Sequence, residues 1–113
     1  MAGYSPIVEN MILTRDADYL HIFKRDPSDP PFPANTTAEI VITETRDTDS
    51  TVLATWDAED VSPDEIAFWV QSEDTNEIDA RTYYRLLVHY PPSTPGGEPQ
   101  DWCWYRGQIK REQ

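Results

Sequence analysis

The chain has 113 residues, enough for one domain with its own core. Nine basic against 21 acidic residues give a formal net charge of -12, which argues against general binding to a nucleic-acid backbone, because that needs excess lysine and arginine. No run approaches the roughly 18 apolar residues of a membrane helix, the start MAGYSPIVEN has no basic region followed by an apolar stretch, and a lone cysteine cannot form an internal disulfide, so synthesis in a cytoplasm without membrane attachment is expected.

Apolar residues recur mostly with a period of two, the spacing of half-buried strands. The first ten residues read as an N-terminal arm, and residues 11–113 as a single domain. Residues 11–14 form a short apolar run, and residues 19–25, YLHIFKR, alternate. Residues 26–35 contain Pro27, Pro30, Pro31 and Pro33 and must be loop, because proline lacks the ladder N–H. Residues 38–45 place Ala38, Ile40 and Ile42 on one face. RDTDS is a turn, and residues 51–56 bring Val52, Ala54 and Trp56 together. Ile66, Phe68 and Val70 share a face, and residues 74–79 suit one helical turn. Residues 82–90, TYYRLLVHY, form the strongest strand, residues 91–100 a proline-rich loop, and residues 102–110 the last strand. About seven short strands separated by turns predict an all-β fold, a single antiparallel, immunoglobulin-like β-sandwich. DARTYYRL resembles the tyrosine corner of such sandwiches without its full spacing.

The last two strands should form an antiparallel hairpin whose side chains alternate between faces. Cys103, Tyr105 and Ile109 then share the inner face with Tyr84, Leu86 and Val88. Tyr83, Arg85, Leu87, His89, Trp102, Trp104 and Arg106 fall on the outer face, a set rich in the residue types that dominate protein interfaces. Two alternatives stay open. A β-bulge would shift the register and turn a tryptophan into the core, or a loop such as residues 26–35 would cover the tryptophans.

Chemical motifs are sparse. His21 and His89 are the two imidazoles, and parity sets His89 on the face opposite Cys103, so a thiol nucleophile lacks its base. Two histidines and one cysteine lack zinc spacing. Asp47, Asp49 and Ser50, or Glu73, Asp74 and Asn76, have oxygens suited to calcium but no EF-hand spacing. Asn35-Thr36-Thr37 matches a glycosylation acceptor, without a secretory signal to support it. No catalytic residue, cofactor or metal is expected. The 12 acids against one base, Arg46, between Glu44 and Asp79 read as a solubilising surface or as a face for a basic partner.

LTRDADYLHIF, PFPANTTAEI, TYYRLLVHYP and above all CWYRGQIKR resemble the small β-sandwich minor tail proteins of phages infecting mycobacteria and related actinobacteria. The resemblance runs from Leu13 to about Arg111 and is most specific at residues 103–107. It implies a non-enzymatic virion structural protein, made in the host cytoplasm and placed in the tail tip or fibre region ahead of the capsid. Its partners would be other virion proteins, with symmetric multi-copy assembly, and neither nucleic acid nor membrane. A capsid decoration protein and a carbohydrate-binding module that contacts the host surface are the alternatives.

Overall fold

In the computed structural model, residues 7–27, 31–46, 50–79, 81–91 and 100–112 are described. The period-two pattern becomes alternating burial. In β4 (Thr37–Thr43) Ala38, Ile40 and Ile42 are buried, in β7 (Glu65–Val70) Ile66, Phe68 and Val70, and in β8 (Tyr83–Tyr90) Tyr84, Leu86 and Val88. The other strands are β1 (Ile7–Val8), β2 (Met11–Thr14), β3 (Tyr19–Lys24), β5 (Val52–Asp57), β6 (Asp60–Val61) and β9 (Gln100–Glu112); α1 (Ser72–Thr75) supplies the one helical turn among the described residues.

Two sheets face each other. The larger runs β1-β9-β8-β4-β5, with β2 also on β9, and the smaller runs β3-β7-β6. All pairings are antiparallel except those of β1 and β2, which run parallel to β9. Ile7 and Val8, assigned to an arm by the sequence, thus lie in the larger sheet, opposite Tyr105 and Arg106. The strand is too short to carry a periodic signal. The core between the sheets joins Leu13, Phe23, Ile40, Ile42, Trp56, Phe68, Leu86 and Ile109. Burial of these side chains contributes about 1.5–3 kcal/mol each.

Gly107 shows why the first strands can lie on β9. A Cβ there would come within 2.0 Å of the Glu9 carbonyl oxygen. The bare Cα lets the chain between β1 and β2 pass closely, and Glu9 N–H donates to the Arg106 carbonyl at 2.9 Å. The Tyr84 hydroxyl donates to the Glu9 carbonyl at 2.7 Å. That long-range bond replaces the expected local tyrosine corner, and the turn before β8 is instead held by the Thr82 hydroxyl donating to the Asp79 carbonyl at 2.8 Å.

Candidate protein-docking face

The β8–β9 hairpin forms as expected, but with a register shift. Leu86 lies opposite Tyr105, and the next residue, Leu87, lies opposite Cys103. Trp104 is the extra residue, a β-bulge on β9, and one extra residue reverses the facing of everything before it. Three expectations are corrected by this shift. Trp104 is 9% exposed and sits in the core, not on the outer face. Trp102, opposite the fully buried Val88, packs half-buried against the core. Cys103 lies on the outer face with Leu87, not on the inner face with Tyr105 and Ile109.

The proline-rich loop completes the burial of Trp104. Its Phe32 N–H donates to the Pro63 carbonyl at 2.9 Å, and its ring lies 5.5 Å from that of Trp104. Phe23, Trp102 and Tyr105 close the other sides at 6.1, 5.9 and 5.2 Å. Both alternatives left open by the sequence operate together here: a bulge turns the tryptophan in, and a loop covers it.

The remaining five residues do share the outer face. Tyr83, Arg85, Leu87 and His89 alternate outward along β8, all half-buried, and Arg106 lies opposite Arg85. Pairing with β4 brings Thr37, Glu39 and Val41 beside His89, Leu87 and Arg85. Asp57 on β5 lies opposite Glu39. The face therefore has two ends.

At the first end is a depression of about 350 Å³, lined by Arg46, Arg85, Arg106, Tyr83, Gln108 and Val8 among others. No described acidic residue lines it. The Arg46 guanidinium stacks over the Tyr83 ring, 5.5 Å from its centre, a cation–π contact. Three of the nine basic residues thus converge on one depression of an acidic protein.

At the second end the His89 ring is gripped from both sides. Nδ1 lies 2.7 Å from an Asp101 oxygen and Nε2 lies 3.0 Å from a Glu39 oxygen. Ionised carboxylates only accept, so both bonds form only when both ring nitrogens carry protons. The bond to Asp101 is the main cause holding the His89 pKa above its ordinary value; partial burial opposes it, and Glu39 adds to it. The bulge also places His89 and Cys103 on one face, contrary to expectation, yet with both ring nitrogens engaged His89 is no base for the thiol. Burial pushes the Cys103 thiol up, with Arg85 and Arg106 only partly offsetting it, and the thiol donates to the Tyr105 carbonyl at 3.3 Å.

Of the expected calcium ligands, Asp47 and Asp49 lie outside the described residues. The Asn76 carboxamide is occupied: its oxygen accepts from the Asp16 N–H at 3.1 Å, and its nitrogen donates to the Asp16 carboxylate at 3.0 Å. Among the described residues, no three of His, Cys, Asp and Glu are grouped to hold a metal ion.

A second exposed surface went unremarked in the sequence. Leu20, Ile22 and Trp69 are 67%, 49% and 52% exposed on the outside of the smaller sheet, with Leu20 opposite Trp69. The Trp69 indole N–H donates to the Asp18 carboxylate at 2.9 Å. Parity carried the signal, since inward Phe68 and Val70 require an outward Trp69 between them.

The sheet order and the paired faces define an immunoglobulin-like β-sandwich. A solved structure of murine CRIg is similar over 93% of this chain and 93% of that chain, with a TM-score of 0.51 at 12% identity, a likeness of fold alone. Residues 5–112 match the model of the LtfC-like, beta-sandwich domain family. The chain belongs to that family, whose namesake is a phage tail fibre-related protein, which sets it among phage tail-associated β-sandwich proteins. No curated protein matches it.

Proposed function

We propose that the chain is a non-enzymatic structural component of a phage virion, a minor tail protein of the tip or fibre region, from a phage of mycobacteria or related actinobacteria. The family match over nearly the whole chain is the observation that carries this reading. The working surface is the outer face of the larger sheet, where Tyr83, Arg85, Leu87, His89 and Arg106 stand together. Arginine and tyrosine around a small apolar centre are the composition of docking surfaces. The neighbours are other tail proteins. The test is recovery of the Arg85→Glu/Arg106→Glu double variant in purified tails. Loss from particles with an unchanged circular dichroism spectrum is expected, and normal incorporation would remove this face from the assembly.

A second reading, a carbohydrate-binding module, is favoured by Trp69, whose indole is steered by Asp18 and half exposed beside Leu20. Flat exposed rings stack on sugars. Binding of the isolated chain to host cell-wall glycans, abolished by Trp69→Ala, would establish it; no binding leaves the tail reading.

A further inference from the structure

We propose that the outer face of the larger sheet pairs with the same face of a second copy of this chain, across a two-fold axis lying between the face's basic and acidic ends. The inference rests on the reading of this face as a docking surface and names its partner.

Arg85 and Arg106 are directly opposite one another on adjacent strands. Like charges in that position destabilise a sheet. Arg46 joins them at the depression, and none of the three makes an ion pair among the described residues. A chain with 21 acids has ample means to supply a counter-charge there, yet no described acid lines the depression. The carboxylates missing from this end stand at the other end of the same face. Asp57 lies opposite Glu39, and Asp101 lies opposite His89. His89 offsets one of these three charges when protonated and fixes the Glu39 and Asp101 carboxylates in place.

Such a face is complementary to itself. A two-fold contact requires that if one patch meets another, the second meets the first in return. A rotation about an axis in the face, between its two ends, lays the arginines of each copy over the acids of its partner. Val41 and Leu87, half-buried, lie between the ends and become the apolar centre of the contact. Facing charges of opposite sign steer association and fix the orientation of the pair.

The test is sedimentation velocity of the full chain with two charge-reversed variants, Arg85→Glu/Arg106→Glu and Glu39→Lys/Asp57→Lys. The wild type should dimerise, weakening at least tenfold as salt rises from about 0.05 to 0.5 M, where screening shortens to a few ångströms. Each variant alone should be monomeric, the two ends of its face now having net charges of the same sign. An equimolar mixture should form a heterodimer, because both contacts are then attractive, and misfolding cannot mimic that rescue. If the reversals fail to fold, the milder Arg106→Gln and Asp57→Asn should each weaken the dimer several-fold. A wild type monomeric at about 100 μM, a variant that dimerises like the wild type, or a mixture that stays monomeric would each overturn the proposal. A monomeric wild type whose arginine variant is lost from tails overturns the dimer and leaves the tail reading standing. A dimer whose arginine variant enters tails normally keeps the pairing and removes this face from other tail contacts.

Discussion

The β8–β9 hairpin has an inner and an outer face built from the same run of residues, and they could hardly differ more in chemistry. Inside, Trp104 lies among Phe23, Phe32, Trp102 and Tyr105, with ring separations of 5.2 to 6.1 Å. Outside, Arg85 faces Arg106 and His89 bridges two carboxylates. A single inserted residue separates the two arrangements, since the bulge at Trp104 decides which of the neighbouring aromatics look inward. Aromatic richness along a strand is thus a poor guide to a surface. Here the aromatics stabilise the domain, and the charges remain available to a partner.

The comparison breaks most visibly at Trp104. Trp104→Ala should cost about 3–5 kcal/mol of folding stability, as large core truncations do, read as a lowered midpoint in urea. A loss below about 1 kcal/mol would mean that the ring is not part of the core. Gly107→Ala should rank next, at about 1–3 kcal/mol. Its methyl group would collide with the Glu9 backbone and push β1 off β9. The same denaturation series checks it, with hydrogen exchange expected to rise at Glu9, whose N–H bonds to the Arg106 carbonyl.

How much of this was legible beforehand depends on where in the chain one looks. Ile40 and Ile42, Ile66, Phe68 and Val70, and Tyr84, Leu86 and Val88 are buried as their alternation predicts, because no insertion interrupts their strands at those positions. The outward Tyr83, Arg85, Leu87 and His89 follow from the same parity. The bulge was legible only as an open alternative, because residues 101–105 alternate acceptably in either register and both registers turn an aromatic inward. Arg46 and Asp57 belong to the face through folding, not spacing. Arg46 arrives on the turn after β4, and Asp57 arrives through its pairing with Glu39. Phe32 lies among four prolines, where no period exists to mark it as core.

On the outer face the effects should be small and opposite in sign to those inside. Arg85→Thr removes a like-charge neighbour of Arg106 without opening the core. Stability should be unchanged or rise by up to about 0.5 kcal/mol, while pairing or incorporation falls. A loss above about 1 kcal/mol would show that Arg85 supports the monomer and would blur the contrast between the faces.

The smallest expected effect is a pH dependence at His89. Its pKa is raised in the folded chain, by Asp101 first and Glu39 after. The folded state therefore holds this proton more tightly than the unfolded chain, whose histidine titrates near 6.5. The resulting stability is fully present below that unfolded value and is lost as pH rises through the raised folded one. Thr37, Glu39, Leu87 and Asp101 are the residues around the ring on its own and neighbouring strands, so two carboxylates dominate its field. The side chain is 32% exposed, and solvent screening holds the contribution to a few tenths of a kcal/mol, roughly that of other partly exposed ion pairs. The wild type should lose this increment relative to His89→Gln as pH rises above about 6.5, because the variant has no proton to lose there. Titration of the His89 ring by proton NMR gives the direct measurement. A midpoint at or below the ordinary histidine value would show that the two carboxylates do not hold the ring, and the fixed acidic end of the face would be lost with them.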